Sequence, residues 1–326
     1  MKTKKLNNGQ SIPLIGLGTS SRTTEDIVYY SIKDGIRLID TASILNNERE
    51  VGLGIKKAIS EGIVKREDLF IISKIWINQR DDPEKALKRT LERLQLDYID
   101  MYIDHWPTGK YYQSMRPVDN FRMVPINEFW PKMEKLVEKG LTKSIGVSNY
   151  NAQALCNLLS ICKIKPVANE IEFHPYFYQK DLKDFCDKVN IAVISYCPLA
   201  HGNSKRMYIF KHNYPLPHGN DARYYIKNRN GEMDILKEPL IIELAKKYSK
   251  ICNMEINEGM IILNWHIQLG NIPIPGTCNI YRMKSNLKAL EFKLEEGDIK
   301  KICSFEKKYM KKFCGCYNLF GINILA

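Results

Sequence analysis

The stretch Phe70-Ile71-Ile72-Ser73-Lys74 places a lysine at the end of a short run of aromatic and β-branched residues. The run is largely apolar on both faces, which is typical of a strand in a parallel sheet covered by helices. Leu38-Ile39-Asp40 ends in the same way with an acid, and Tyr102-Ile103-Asp104-His105 ends with an imidazole. These three runs predict neighbouring strands whose carboxyl ends carry ionisable side chains.

Strand-like runs of this kind alternate with helical patterns along the whole chain. We predict strands near residues 14–17, 38–40, 69–74, 99–104, 143–147, 167–171, 191–196 and 272–275. Helical spacing occurs near residues 24–34, 48–61, 83–95, 127–139, 151–160, 180–188, 239–249 and 281–289. Eight strands that are each followed by a helix predict an α/β fold of the (β/α)₈ barrel type. A doubly wound open sheet is the alternative.

No linker, composition break or internal repeat divides the chain, so we expect residues 1–326 to form a single barrel domain. Residues 4–12, with Asn7-Asn8-Gly9 at their centre, predict an N-terminal β-hairpin that plugs the bottom of the barrel. Residues 200–238 interrupt the alternation and are rich in lysine and arginine. They predict a long basic surface loop at the mouth of the barrel, where the βα-loops carry function.

Composition limits the class of protein and its partners. The chain is 44% hydrophobic, carries a net charge of +12 and has no apolar run long enough to span a bilayer or to serve as a secretory signal. Its nine scattered cysteines lack metal-ligand spacing, which favours reduced thiols and a cytoplasmic location without a metal site. The basic residues are spread out, so we expect no nucleic-acid partner. The positive charge indicates either a solvated surface or attraction of an anionic ligand such as a nucleotide.

Asp40, Lys74 and His105 are the candidate catalytic residues, because strand ends in a barrel point into one shared pocket. Each residue alone has an ordinary structural explanation. Asp40 could cap a helix, Lys74 could extend to solvent, and His105 could be a core residue. Three ionisable groups at neighbouring strand ends are a more specific signal than any one of them.

Asp40, Lys74 and His105 belong to a set of motifs by which the chain resembles the aldo-keto reductase family over more than 250 residues. The resemblance implies a (β/α)₈ barrel that binds NADPH in extended form and transfers hydride to an aldehyde or ketone. The segments that carry it are Gly16-Leu17-Gly18-Thr19, Asp40-Thr41-Ala42, Asn47-Glu48, Ser73-Lys74, His105-Trp106-Pro107, Gly146-Val147-Ser148-Asn149, His174-Pro175-Tyr176, Ser195-Tyr196-Cys197-Pro198-Leu199 and Ile274-Pro275.

The resemblance implies an incomplete catalytic set. Asp40, Lys74 and His105 fall where the family keeps its acid, amine and imidazole, but Leu45 stands where the family has a proton-donating tyrosine. Leucine has no proton to give, and a positioned general acid is worth about 10²- to 10⁴-fold in rate. A protonated His105 and a water held by Lys74 are the candidate replacements.

The implied cofactor contacts near the nicotinamide include a second departure. Tyr196 falls where the family stacks an aromatic ring on the nicotinamide, and Glu170 replaces an expected glutamine. As a carboxylate, Glu170 would favour the positively charged oxidised ring, and we hypothesise that it makes the reduced cofactor a stronger hydride donor. The candidate contacts are Thr19, Asp40, Ser148, Asn149, Glu170, Tyr196 and Leu199.

At the adenine end, the resemblance implies NADP(H) in preference to NAD(H). The family usually has lysine then serine after Ile-Pro to hold the 2′-phosphate, whereas this chain has Gly276 and Thr277. Arg282 and Asn286 match family contacts one helical turn apart. Arg282 is the candidate phosphate ligand. The basic loop at 200–238 is a hypothetical clamp that compensates for the missing lysine, and a partner-binding loop is the alternative.

Two functions therefore remain open from the sequence. The first is an NADP-dependent oxidoreductase with altered activity that acts on a small carbonyl substrate, and we expect it to prefer apolar carbonyls over sugars. The second is a catalytically impaired barrel retained as a nucleotide-binding or structural protein. The family resemblance makes a monomer the default. Some aromatic residues could line an apolar substrate pocket, although most of them are equally plausible as packing residues: Trp106, Tyr111, Tyr112, Phe121, Trp130 and those of the 313–326 segment.

Overall fold

A computed structural model describes residues 2–107, 124–200, 234–308 and 312 of the chain. In these residues, an antiparallel hairpin of β1 (Thr3–Lys5) and β2 (Ser11–Pro13) precedes an eight-stranded parallel sheet. The sheet strands are hydrogen-bonded in chain order: β3 (Leu17–Gly18), β4 (Leu38–Asp40), β5 (Phe70–Ile75), β6 (Met101–Asp104), β7 (Ile145–Ser148), β8 (Ala168–Glu172), β9 (Ala192–Tyr196) and β10 (Ile272–Pro273).

The first and last strands of this sheet are joined to each other. Gly18 pairs with Gly276 in a parallel bridge, and the backbone N–H of Gly18 donates to the Pro275 carbonyl at 3.3 Å. The N–H of Gly16 donates to the Pro273 carbonyl at 3.1 Å. The strands therefore close into a ring, so the predicted (β/α)₈ barrel is confirmed and the open-sheet alternative is wrong.

Helices connect the strands and surround the barrel. The helices of the described residues are α1 (Glu25–Lys33), α2 (Glu48–Ser60), α3 (Pro83–Leu94), α4 (Ile126–Glu138), α5 (Ala152–Leu159), α6 (Lys180–Lys188), α7 (Pro239–Cys252), α8 (Glu258–Gln268), α9 (Ile280–Leu287), α10 (Glu296–Cys303) and α11 (Phe305–Lys308). Sequence reasoning missed α8, because its seven consecutive residues 260–266 are all buried. A helix that is buried on every side has no polar face, so its sequence does not show the alternation of apolar and polar residues that predicts a helix.

Helix α3 illustrates how local sequence sets these boundaries. The Asp82 side chain accepts a hydrogen bond from the Lys85 N–H at 3.0 Å, and Pro83 occupies the first turn, where its missing N–H has no cost. The helix ends at Gln95, which adopts a left-handed conformation with φ of 55°. The residues that this helix buries recur at helical spacing and are Pro83, Ala86, Leu87, Thr90, Leu91 and Leu94.

Side chains that alternate along the strands fill the inside of the barrel. The inner cluster contains Leu38 and Phe70, together with Ile72, Met101, Ile103, Ala168, Ala192, Ile194, Ile272 and Ile274. Because successive residues of a strand face opposite sides, the residue two positions beyond each of these faces inward as well. At the carboxyl ends, that rule aims Asp40, Lys74, His105, Glu170 and Tyr196 at the mouth of the barrel.

The N-terminal hairpin covers the opposite end. Leu6 and Ile12 belong to the inner cluster, so the hairpin closes the apolar interior from below. The Asn7 side-chain amide donates to the Pro166 carbonyl at 2.9 Å, just before β8 begins. Lys4 Nζ donates to the Gly270 carbonyl at 2.6 Å, just before β10. The predicted hairpin is therefore present, and in the described residues it covers the amino-terminal end of the barrel strands.

Several expectations about loops and surfaces can be compared with the described residues. Trp130 is fully buried, and its indole N–H donates to the Ile164 carbonyl at 2.9 Å, so of the two interpretations left open by the sequence it is a packing residue. Several residues named from the sequence lie outside the described residues: Tyr111, Tyr112, Phe121, the 313–326 segment and residues 201–233 of the basic loop.

Among the helices described, none has the length and apolar character needed to cross a bilayer. The seven cysteines of the described ranges are free thiols.

The seam between β3 and β10 predicts a specific sensitivity at Gly18. A Cβ added there would lie 2.4 Å from the Ile274 carbonyl oxygen, which is backbone and cannot rotate away. We expect Gly18→Ala to lower the free energy of unfolding by about 1–3 kcal/mol, measured by urea denaturation. Gly297→Ala in α10 is the matched control, because its Cβ would meet no atom within 4 Å. Equal stability of the two variants would contradict this account of barrel closure.

Candidate active site

The ammonium group of Lys74 lies at the centre of the barrel mouth. Lys74 Nζ is 2.5 Å from Asp40 Oδ1 and donates to the Thr41 carbonyl at 3.0 Å. Only 3% of the Lys74 side chain is exposed. Asp40 and Lys74 are therefore brought together from adjacent strands β4 and β5, and the amine is held away from solvent.

A second acid reaches the same ammonium from the far side of the barrel. Glu170 Oε1, on β8, is 3.2 Å from Lys74 Nζ, and 4% of the Glu170 side chain is exposed. Sequence reasoning gave Glu170 only a cofactor contact and missed this ion pair. The signal was available, because Glu170 stands two positions after the inward-facing Ala168 at a strand end. We refer to Asp40, Lys74 and Glu170 as the buried triad.

The buried triad contains one more acid than base, and its protonation reflects this. Burial and the nearby charge of Asp40 together raise the pKa of Glu170 to about 8 against the opposing effect of Lys74. Burial also raises the pKa of Asp40, although the Lys74 charge opposes that rise. Burial alone would lower the pKa of Lys74, but the two carboxyls outweigh it and the pKa is raised. Near pH 7, the raised pKa of Lys74 favours its charged form, and the pKa of about 8 favours a neutral Glu170.

This protonation state restricts the redox hypothesis for Glu170. A carboxylate would favour the oxidised nicotinamide, but a group with a pKa of about 8 is mostly neutral at pH 7. A protonated carboxyl presents one donor and one acceptor, as the family's glutamine amide does. The predicted effect of a Glu170 charge on the cofactor therefore applies above about pH 8, and below it the residue behaves as a glutamine would.

His105 stands beside the triad as a neutral imidazole. Burial lowers its pKa well below the usual value, and the Lys74 charge lowers it further. Its ring packs edge-on against Trp76 with 5.1 Å between ring centroids. Its Nδ1 has no hydrogen-bond partner among the described residues. The expectation that a protonated His105 supplies the proton is therefore wrong, because the imidazolium form is suppressed at neutral pH.

Three further predicted residues form a hydrogen-bonded group beside His105. The Asn149 amide donates to the His105 carbonyl at 2.9 Å and to Ser148 Oγ at 3.1 Å. The Tyr196 hydroxyl donates to Asn149 Oδ1 at 2.7 Å, and Ser148 Oγ donates to the Glu170 carbonyl at 2.8 Å. Asn149 adopts a left-handed conformation with φ of 63°, which asparagine tolerates better than most residues. These contacts tie the ends of β6, β7, β8 and β9 together.

Leu45 lies on a short 3₁₀ turn, Ser43–Leu45, that is attached to the strand end of Lys74. Ser43 Oγ donates to the Lys74 carbonyl at 3.1 Å and contacts Gln79 Oε1 at 3.0 Å. Asn46 ends the turn in a left-handed conformation with φ of 52°. Leu45 is partly exposed and offers no hydrogen-bonding group, so the last residue of this turn contributes an apolar side chain.

Thr19 lies beside the buried triad, whereas Leu199 packs against the larger hydrophobic cluster. The Thr19 N–H donates to the Asp40 carbonyl at 2.9 Å, which fixes Thr19 beside the triad. Thr19 Oγ1 is buried and has no hydrogen-bond partner among the described residues. Leu199 is partly buried in the outer core, where its Cδ1 faces Gly259 near the start of α8.

The residues predicted to hold the adenosine end lie apart, on the segment after β10. The Gly18–Gly276 bridge brings this segment beside β3, and Thr277 Oγ1 accepts from the Asn279 N–H at 3.0 Å. Arg282, which is exposed, and Asn286, which is partly buried, both belong to α9. No contact in the described residues joins them to the triad, so they can serve only a ligand that is long enough to reach both regions.

Comparison with known proteins agrees with this architecture. The sequence model described as Aldo/keto reductase family matches residues 7–307. The chain belongs to the aldo/keto reductase family. It is 36% identical to Aldose reductase B of Dictyostelium discoideum over 321 residues, which cover 93% of this chain and 92% of the relative.

Solved structures of other aldo/keto reductases share the fold along the whole chain. The aldose reductase of Schistosoma japonicum superposes with a TM-score of 0.80 at 28% identity, covering 99% of this chain and 97% of the other. An aldo-keto reductase of Bombyx mori in complex with NADP gives a TM-score of 0.78 at 32% identity, covering 93% and 92% of the two chains. The predicted family resemblance is confirmed.

The pKa of Glu170 predicts how stability depends on pH. Between its unfolded value of 4.5 and its folded value of about 8, Glu170 is protonated in the folded state and ionised in the unfolded state. Its contribution is therefore fully present below pH 4.5 and is lost as the pH rises to about 8. We expect Glu170→Gln to gain stability over the unsubstituted chain across this interval, by a few kcal/mol in all, at up to about 1.4 kcal/mol per pH unit.

The measurement is urea denaturation of both proteins at several values of pH. Glu134→Gln is the matched control for the exchange of a buried glutamate, because Glu134 accepts the backbone N–H groups of Lys163 and Ile164 on the outside of the barrel. A stability difference between Glu170→Gln and the unsubstituted chain that is constant with pH would contradict the raised pKa.

Proposed function

We propose that this aldo/keto reductase reduces the carbonyl group of an aldehyde or ketone and uses NADPH. The observation that carries the proposal is the buried Lys74 ammonium, paired with Asp40 at 2.5 Å beside a neutral His105 at the open end of a closed barrel. A buried ion pair costs desolvation and is weak evidence for a stabilising role. Groups of this kind with shifted pKa values at a barrel mouth are typical of a catalytic site.

The residues present fit a dinucleotide. The buried, unpartnered hydroxyl of Thr19 beside Asp40 is a hydrogen-bonding group that a ligand at the mouth would satisfy. When bound, the reduced nicotinamide supplies hydride to the carbonyl carbon. The contacts that we assign to the nicotinamide end are Thr19, Asp40, Ser148, Asn149, Glu170, Tyr196 and Leu199. Those that we assign to the adenosine end are Thr277, Arg282 and Asn286.

The catalytic roles follow from charge and protonation. Lys74 offers an ammonium to the carbonyl oxygen, and Asp40 keeps that ammonium charged in a buried place. A neutral His105 has one ring N–H, which can donate a hydrogen bond to the carbonyl oxygen and orient it. Leu45, at the position of the family's tyrosine, contributes no proton. It makes the pocket beside the carbonyl apolar, and we propose that apolar carbonyls are preferred over sugars.

The alternative function is a catalytically impaired barrel that binds a nucleotide or serves a structural role. The engagement of Ser148 and Asn149 in internal hydrogen bonds favours it, because those groups must rearrange to contact a cofactor. Turnover of NADPH with aldehydes or quinones supports the reductase, and tight NADPH binding without turnover supports the alternative. For either function, we propose one domain spanning residues 1–326, a monomer and a cytoplasmic location.

Restoring the phenol tests the role of position 45. We expect Leu45→Tyr to raise the rate of carbonyl reduction by about 10-fold or more, because the side chain regains a proton donor. Leu45→Phe is the matched control, since it adds the ring without the hydroxyl and should give no such gain. The rate is followed by NADPH consumption with a panel of aldehydes and ketones. Equal rates for the Tyr and Phe variants would mean that position 45 does not face the carbonyl.

A second substitution tests the preference for the 2′-phosphate. We expect Arg282→Ala to raise the dissociation constant for NADPH by about 10-fold, which corresponds to about 1.4 kcal/mol, because the guanidinium forms charged hydrogen bonds to phosphate. The constant for NADH should change little. Lys284→Ala is the control, since Lys284 is an exposed cation on the same helix α9. Fluorescence titration with both nucleotides gives the constants, and equal weakening of both would remove Arg282 from the phosphate site.

A further inference from the structure

The buried triad holds an exchangeable proton in addition to those of the lysine ammonium. Asp40 Oδ1 and Glu170 Oε1 lie 2.5 and 3.2 Å from the same Lys74 nitrogen. Burial and the nearby negative charge of Asp40 raise the pKa of Glu170 to about 8. Two buried carboxylates beside a single ammonium would leave one negative charge unpaired, so one of the two carboxyls favours its protonated form. Because Asp40 lies closer to the ammonium, Glu170 is the acid that keeps the proton.

The other groups near the triad are poor proton donors. Leu45 has no ionisable group, and His105 is neutral because its pKa is held well below its usual value. The Ser43 hydroxyl is already bonded to the Lys74 carbonyl and to Gln79. A serine hydroxyl is also too weakly acidic to protonate a carbonyl oxygen well.

We propose that Glu170 stores the proton that the carbonyl oxygen receives, in place of the phenol missing at position 45, and that Lys74 passes it on. This inference rests on the proposed reductase function. The carbonyl carbon takes a hydride from the reduced dinucleotide, and the carbonyl oxygen takes a proton from the Lys74 ammonium. Lys74 then takes the Glu170 proton, and the Glu170 carboxylate is reprotonated by solvent, so atoms and charge balance.

The groups around Glu170 determine how this proton relay, from Glu170 through Lys74 to the carbonyl oxygen, depends on pH. Asp40 faces the Glu170 carboxyl from β4 and raises its pKa, and Lys74 faces it from β5 and lowers its pKa. Since the pKa of Glu170 is raised to about 8, the acid is loaded below that pH and empty above it. Catalysis should therefore fall as the pH rises through about 8.

The stored proton can be tested without turnover. Carbon-13 NMR of the glutamate carboxyls is recorded between pH 5 and pH 10 on the unsubstituted protein and on Glu170→Gln, which identifies the Glu170 signal by its loss. We expect that signal to titrate near pH 8. A Glu170 signal that titrates below pH 6 would overturn the inference whatever the catalytic activity, and would leave the proposed function intact.

A four-protein comparison tests delivery of the proton. In the unsubstituted chain, we expect Glu170→Gln to lower kcat about 10- to 100-fold with little change in KM, and to remove the fall of kcat above pH 8. In the Leu45→Tyr background, the phenol replaces the relay, so Glu170→Gln should cost less than about 3-fold. Glu134→Gln is the control for a buried glutamate and should leave kcat and its pH profile unchanged.

The outcomes separate the two proposals. An equal loss from Glu170→Gln in both backgrounds would mean that Glu170 acts on structure or cofactor binding, and the relay would be wrong. A change of KM in either direction without a change of kcat would also overturn the proton relay. Absence of turnover in all four proteins would overturn the reductase function and the delivery step together, whereas the NMR titration would still decide whether Glu170 holds the proton.

Discussion

The Lys74 ammonium between two carboxyls is the interaction on which the site depends. Only 3% of the Lys74 side chain is exposed, and a buried charge is unfavourable unless it is paired and hydrogen-bonded. The partners of Lys74 are Asp40, Glu170 and the Thr41 carbonyl. Asp40 comes from the adjacent strand, but Glu170 comes from β8, three strands further along the sheet from β5. That contact requires a curved and closed sheet, so the barrel and the ion pair depend on each other.

The sequence predicts most of this frame because strand alternation is a local property. Leu38 and Asp40, Ile72 and Lys74, and Ala168 and Glu170 each repeat the same pattern of an apolar inward residue followed by a polar one at the strand end. Predicted strand limits fall within about three residues of the observed ones. Helix α8 was missed because burial on all sides removes the helical periodicity that distinguishes it from a strand.

The protonation of the site could not be predicted from the sequence, because pKa shifts depend on distances between residues far apart in the chain. His105 was expected as a possible cation, and only its burial beside Lys74 shows that the neutral form is favoured. Glu170 was expected as a carboxylate, and its burial, together with the nearby charge of Asp40, raises its pKa to about 8. In both cases, residue identity gave the location and the three-dimensional environment determined the charge.

The two departures at positions 45 and 170 are physically related. In the proposed site, Leu45 stands where the family has its proton donor and offers no proton, whereas Glu170 is a buried acid whose pKa is raised to about 8. Simple decay of the site would not explain an additional buried carboxyl, because burying one without function costs stability that a glutamine of the same shape would not. An amide at position 170 could occupy the same space and accept from Lys74, but it could not store a proton. The carboxyl is therefore better explained by redirected proton chemistry than by loss of catalysis.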